Sequence, residues 1–314
     1  PWFKPQQWSP ELLLSANLLA HAAIRRSLLE QVGGFDVQMA EAQTWDAAFR
    51  VTERTSNVAH VPRVLYHQRQ RQPQATLAAQ QRALTAHLAR HQGSITAHQS
   101  GQIRVHWPFS GTKVSILIAT KDEAETLRTC LNAILTRTHY AKYEILVIDM
   151  GSSAPSTAQY YDELANEPRV RIISYNEPFS YTQANNYGAT QAQGSVLIFL
   201  RPNIEVLETD WLVELASWSE RPEIGIVGGK ILGPDYTIEH AGIVLGLNNG
   251  LFHGAAEGES GPFGSTEWYR DCIGVSGACI TMRRDVFEQL GGFDPNYQRA
   301  FYDTDIGLRT VAAG

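Results

Sequence analysis

The sequence predicts an α/β protein whose main part is a mostly parallel sheet flanked by helices, preceded by the C-terminal part of a second module of the same kind. Three observations carry this reading. From about residue 113 onward, short apolar runs rich in β-branched residues alternate with amphipathic stretches, the pattern of strands buried on both faces and joined by crossover helices. A segment also recurs: RRSLLEQVGGFD from Arg25 returns as RRDVFEQLGGFDPNY from Arg283, and after one inserted residue TWDAAFR (from Thr44) falls opposite DTDIGLR (from Asp303). That interval is the size of a whole domain, which excludes a short-period solenoid. Finally, 314 residues that are 43% hydrophobic and 18% charged suffice for more than one structural unit.

Taken in order, residues 1–67 are expected to be the C-terminal part of the upstream module. A helix is predicted around Ile24 to Val32, stopped by Gly33-Gly34, which suits a left-handed helix end. A second helix runs from Thr44 to about Thr55, and HVPRVLYH, His60 to His67, reads as a strand interrupted by Pro62. Residues 68–112, rich in Gln, Ala, Arg and His over their first part, read as a helical connector. The main domain then occupies 113–314. VSILIAT (Val114 to Thr120) is its first strand, and DEAETLRTCLNAILTRT follows as a helix with Leu127, Cys130, Leu131, Ile134 and Leu135 on one face. YEILVIDMGSS and VRIISY are the second and third strands, TQANNYGATQAQG is a helix, and SVLIFLRPN is the fourth strand.

Composition narrows the function. A net charge of −6 gives no whole-chain attraction to nucleic acid or anionic lipid. The cysteines Cys130, Cys272 and Cys279 are odd in number and form no CxxC pair, which points to a reducing compartment rather than a disulfide framework. No apolar run approaches the roughly 20 residues that span a bilayer. The opening PWFKPQQW lacks the layout of a signal peptide, and the absence of an initiating Met fits a fragment whose targeting signals lie elsewhere. In open α/β sheets ligands bind at the carboxyl ends of the strands, so Thr120 and Asp122, Asp149 to Ser153, and Arg201 to Glu205 are the site candidates.

Those strand ends resemble family 2 glycosyltransferases of GT-A fold. VSILIATKDEAETLRTCLNAIL is similar to that family's opening strand and helix, YEILVIDMGSS to its second strand, and PFSYTQANNYGATQAQGSVLIFL with WLVELASW to the approach to its metal motif and the helix after it. GVSGACITMRRDVFEQLGGFD and AFYDTDIGLR resemble its acceptor-side segment and catalytic-base helix. The subgroup it looks most like is the large, multi-module bacterial enzymes that build surface polysaccharides, including rhamnosyltransferases. The resemblance implies an inverting transfer from a nucleoside-diphosphate sugar to a glycan acceptor, lipid-linked in some members. It also implies a cytoplasmic site, peripheral to the inner face of the membrane, with other modules of the same polypeptide as partners.

Such a transfer needs a nucleotide cradle, a neutraliser for the departing diphosphate and a base for the acceptor hydroxyl. The resemblance assigns Thr120, Asp122 and Asp149 to the cradle; the plainer reading is that the Asp149 turn only caps the next helix. Asn185 and Asn186 are weaker candidates, since amides there equally satisfy a loop backbone. Where the family carries a carboxylate for Mg2+ or Mn2+ after the fourth strand, this chain reads Arg201-Pro202-Asn203. Asn203 in the metal position is a poorer ligand for a hard cation, which puts metal dependence in doubt. Arg201 either neutralises diphosphate itself or is a solvated residue of a degenerate loop. Asp303 takes the base position and Asp305 supports the helix, pointing elsewhere. Thr44, opposite Asp303 in the repeat, has no carboxylate for this step. His240, His253 and Trp268 are acceptor-side candidates, while Trp211 and Trp218 read as core and His67 as the first copy's C-terminal His. The rival reading is a catalytically impaired module kept for glycan binding or scaffolding.

Overall fold

The computed structural model describes residues 8–61, 63, 76–97, 103–246, 250–259 and 261–314. The strand expected over His60 to His67 lies outside the described residues but for its first two positions and Arg63. The chain divides into two compact units, one of residues 1–108 with 260–271, the other of residues 109–259 with 272–314.

In the first unit, α1 (Leu12–Ser15), α2 (Arg26–Gln31), α3 (Gln43–Thr52) and α4 (Leu77–Arg90) precede an antiparallel pair, β1 (Ser94–Ala97) and β2 (Ile103–His106). The stretch read as a helical connector therefore holds one helix and a strand pair. The helix ends where Gln92 takes a left-handed φ of 60°, and extended β-branched residues such as Ile103 and Val105 favour pairing beyond it. Leu13, Trp45, Phe49, Leu84 and Leu88 form the buried interior of this unit, and the Trp45 indole N–H donates to the Leu13 carbonyl at 2.8 Å.

The second unit contains a five-stranded sheet: β3 (Val114–Thr120), β4 (Tyr143–Asp149), β5 (Val170–Ser174), β6 (Val196–Leu200) and β9 (Cys279–Arg283). The spatial order is β5-β4-β3-β6-β9. The first four run parallel; β9 lies antiparallel along β6. A small pair, β7 (Ile231–Leu232) and β8 (Ile238–His240), stands apart from it. Alternate residues of one strand face opposite sides of a sheet. Val114, Ile116 and Ile118 accordingly pack on the Leu127, Cys130, Leu131 and Ile134 stripe of α5 (Ala124–Arg137). Leu117 and Ala119 face the other layer, with Ala184 of α7 (Tyr181–Gln191), Phe293, and Tyr302 and Ile306 of α10 (Tyr302–Ala313). Both layers explain why β3 is apolar at almost every position. α6 (Pro155–Leu164), α8 (Trp211–Ser219) and α9 (Arg284–Gln289) complete the set of longer α-helices.

The repeated sequence adopts repeated geometry. α2 and α9 begin and end at matching positions, and each is closed by two glycines of positive φ, Gly33 and Gly34 in one, Gly291 and Gly292 in the other. The closing bonds match too: Gly33 N to Glu30 O and Gly34 N to Leu29 O, against Gly291 N to Glu288 O and Gly292 N to Phe287 O. In the next helix Arg50 clamps Asp46 at 2.6 Å and donates to the Val32 carbonyl, as Arg309 clamps Asp305 at 2.6 Å and donates to the Leu290 carbonyl. Asp305 is thus spent on fastening α10 to the end of α9.

Candidate functional site

The carboxyl ends of β3, β4 and β6 lie side by side because those strands are parallel. β9 runs the other way, so the chain just before it meets the end of β6. The Arg201 N–H donates to the Ala278 carbonyl at 3.0 Å, and this crossing brings Gly277 and the start of α10 to Arg201.

Five residues converge there. Asp303 sits in the first turn of α10, where the helix dipole favours a carboxylate. Its Oδ2 accepts the Gly277 N–H at 2.9 Å and its Oδ1 the Thr304 N–H at 2.8 Å. Tyr302, 1% exposed, donates its hydroxyl to the Gly277 carbonyl at 3.0 Å and accepts from Arg201 Nη2 at 3.2 Å. The Arg201 guanidinium lies 5.8 Å from the Tyr181 ring centre, and the Tyr181 and Tyr302 rings are 5.2 Å apart. Burial works against the Arg201 cation, but Tyr302, Tyr181 and Asp303 outweigh it and raise its pKa. Burial likewise pushes the Tyr302 phenol up, so both groups keep their protons. Gly277 is required at its position, because a Cβ there would lie 2.3 Å from the Tyr302 hydroxyl and 3.1 Å from Asp303 Oδ2. Neither Tyr302 nor Gly277 was singled out from sequence; the only signal is the i, i+4 pairing of Tyr302 with Ile306 on the buried face of a helix that starts with two carboxylates.

His240 closes this side of the site. Burial lowers its pKa, against the pull of the Asp303 charge, which raises it; it is a neutral ring near neutral pH. Its Nδ1 accepts the Gly242 N–H at 3.1 Å, which places the ring proton on Nε2. His253 contacts the Glu239 carbonyl through Nδ1 at 3.1 Å. Trp268 belongs to the first unit and not to the unit that holds Asp303.

At the β3 and β4 ends Thr120 and Asp149 are register partners. Thr120 is buried and donates to Glu123 at 3.3 Å. Asp149 accepts the Ser152 N–H at 3.2 Å and the Tyr161 hydroxyl at 3.0 Å. The loop leading into α6 is held from the end of the neighbouring strand β3: Asp122, itself in a left-handed conformation with φ 55°, accepts the Ser153 and Ala154 N–H groups at 2.7 Å each. Those two bonds hold its pKa below the ordinary carboxylate range. One Asp122 oxygen is therefore committed to holding the two loops together. Asn186 pairs through both amide atoms with Phe293, at 2.8 and 2.9 Å, and Asn185 donates to the Tyr181 carbonyl; both amides satisfy backbone.

Asn203 faces elsewhere. It lines a cleft of about 350 Å3 with Glu125, Thr126, Thr129 and Cys130 of α5, whereas Arg201 turns to Tyr181 and Tyr302 on the opposite side of the sheet. Glu205 is paired with Arg137 at 2.8 Å. Among the described residues no group of three carboxylate, His or Cys donors gathers in this unit. A guanidinium, a neutral amide and an already paired carboxylate do not fit a tightly held hard cation.

Residues 115–291 match the family described as glycosyl transferase family 2. The chain belongs to glycosyl transferase family 2. That match runs from β3 past α9, covers the three strand ends described above, and stops before Asp303. Among curated proteins, the O-antigen biosynthesis protein RfbC of Myxococcus xanthus is 39% identical over 331 residues, covering 100% of this chain and 26% of that protein. The uncharacterized protein y4gI of Sinorhizobium fredii is 33% identical over 334 residues, covering 99% of this chain and 37% of that protein. Among solved structures, the mannosyltransferase PcManGT of Pyrobaculum calidifontis, in complex with GDP-Man and Mn2+, is similar over 64% of this chain and 53% of its own, with 17% identity and a TM-score of 0.45. The chain thus spans well under half of the two curated relatives. Among its described residues no helix is long and apolar enough to cross a membrane.

Proposed function

We propose that this family 2 glycosyltransferase transfers a sugar with inversion from a nucleoside-diphosphate donor to a growing surface glycan of the O-antigen kind, at the cytoplasmic face of the membrane. The observation that carries it is the Asp303 carboxylate braced by the Gly277 N–H at the end of the sheet, with Arg201 beside it. Each Asp303 oxygen accepts one backbone N–H and keeps lone-pair capacity for an acceptor hydroxyl. The carboxylate takes the hydroxyl proton, the hydroxyl oxygen attacks the anomeric carbon from the face opposite the diphosphate, and the bond to the diphosphate oxygen breaks. Arg201, permanently charged, stabilises the leaving diphosphate by charge-assisted hydrogen bonds. Thr120, Asp122 and Asp149 form the wall for the base and ribose, with Asp149 and the free Asp122 oxygen as acceptors. The RfbC likeness supports the glycan class.

The matching geometry of α2 with α9, and of the Asp46–Arg50 and Asp305–Arg309 clamps, supports reading residues 1–67 as the C-terminal part of an upstream module, 68–112 as its connector and 113–314 as the second module. Thr44 in place of Asp303 leaves the upstream copy without a base. A second reading, a glycan-binding module without turnover, draws on Asn203 and on the committed Asp122 oxygen. The test is release of nucleoside diphosphate from UDP-, dTDP- and GDP-sugars, with and without Mn2+. Release that disappears in Asp303→Asn supports transfer; nucleotide binding with no release from any donor favours the second reading.

A further inference from the structure

Glu53, His87 and His91 stand together in the first unit in an arrangement that nothing in the glycosyl transfer uses. Glu53 closes α3 with its N–H bonded to the Phe49 carbonyl at 3.0 Å. His87 lies in the last turn of α4 and His91 is its C-cap, the i, i+4 spacing that brings two imidazoles to one side of the helix end. Glu53 Oε1 is 2.7 Å from His87 Nδ1 and 3.6 Å from His91 Nε2, and no two of the three ligand atoms are more than 4.8 Å apart. Ligand atoms about 2.0–2.2 Å from one tetrahedral ion are roughly 3.4 Å from each other, a value within this spread.

The supporting surroundings are rigid. The His87 ring is stacked on Phe49, 2% exposed, with centres 4.1 Å apart and planes 12° apart, and two packed helices carry all three groups. Burial lowers the pKa of His87 despite its bond to Glu53, while Glu53 is held down to about 2, its bonds to His87 and Arg90 outweighing the opposing effect of burial. Arg90 is the competitor: it donates to Glu53 from Nε and Nη2, the latter at 2.7 Å, and shares the carboxylate in the absence of an ion.

We propose that Glu53, His87 and His91 form a binding site for a divalent transition-metal ion, with a two-His, one-carboxylate donor set that suits Zn2+ and leaves a fourth position to water. The ion takes over the role of Arg90, whose guanidinium swings to solvent, and clips the end of α3 to α4. On binding, His87 presents a bare Nδ1, its ring proton moving to Nε2.

The 314-residue chain titrated with CoCl2 and then ZnCl2 tests this. One equivalent of Co2+ should give the visible absorption of a tetrahedral site, Zn2+ should displace it, and Zn2+ should raise the Tm. His91→Ala, at a position whose side chain is 44% exposed and that a folded protein tolerates, should weaken binding about tenfold or more. Arg90→Gln should tighten it, because the cation competing for Glu53 is gone. Absence of a tetrahedral Co2+ spectrum, or the same affinity in His91→Ala as in the parent, overturns the site. An Arg90→Gln variant that binds Zn2+ no more tightly shows that Glu53 is not a ligand and equally overturns it.

Discussion

Gly277 donates its backbone N–H to Asp303 Oδ2 at 2.9 Å while its carbonyl accepts the Tyr302 hydroxyl at 3.0 Å. One residue without a side chain thereby positions two neighbouring groups of α10. Gly277→Ala should displace the Tyr302 hydroxyl, which a Cβ would meet at 2.3 Å, with an overpacking cost of about 1–3 kcal/mol. The expected result is a lower Tm and a fall in turnover larger than the fall in nucleotide affinity. Thermal melts and donor-nucleotide calorimetry on the same sample measure both.

Asp303→Asn should remove most of the turnover, on the order of 10²–10⁴, and leave donor-nucleotide affinity nearly unchanged, because this group faces the acceptor. Turnover at the wild-type rate in a product-release assay would reject Asp303 as the base. Asp305→Asn acts differently: it loosens the Arg309 clamp and should appear as lost stability without selective loss of chemistry.

Arg201→Gln should weaken nucleoside-diphosphate binding more than nucleoside binding, since the guanidinium is the cation at the end of β6. Asn203→Asp should leave diphosphate affinity and its response to Mn2+ unchanged, because that side chain lines the α5 cleft on the other side of the sheet from Arg201. Paired titrations with UDP and uridine, with and without Mn2+, separate the two roles.

The two clamps should be unequal to an ordinary surface pair. Arg309→Ala leaves Asp305 and the Leu290 carbonyl without their donor in a part-buried setting, and about 1–3 kcal/mol is expected. Arg26→Ala breaks a pair whose side chains are 91% and 62% exposed and should cost under about 1 kcal/mol. Denaturant unfolding of both variants is the comparison.

Glu53 supplies a pH signature. Its folded pKa of about 2 lies below the ordinary carboxylate value, so its contribution is fully present above about pH 4.3 and is lost as pH falls through the folded value. Glu53→Gln should flatten the stability curve between about pH 4.3 and pH 2 and change its slope little near neutrality. Acid titration of Tm on both proteins shows this.

Local pattern is enough to locate the parallel strands β3, β4, β5 and β6, the α5 stripe from Leu127 to Ile134, and the double-glycine ends of α2 and α9. Those features depend on residues within a turn or two of one another, and burial on two faces writes itself into a continuous apolar run. The alignment of Asp303 with Thr44 is legible for the same reason: both lie inside a segment that the chain spells twice. What remained for the tertiary structure was which distant groups meet. β9 returns antiparallel along β6 and delivers Gly277, Tyr302 and Asp303 to Arg201; the loop leading into α6 is held by Asp122 from the end of β3 as well as by the nearby Asp149; and Arg201 and Asn203, two residues apart, serve opposite sides of the sheet. A hydrogen bond between residues about a hundred positions apart leaves no periodicity in the sequence, because the entropy of closing that loop is offset only by the packing of the whole sheet.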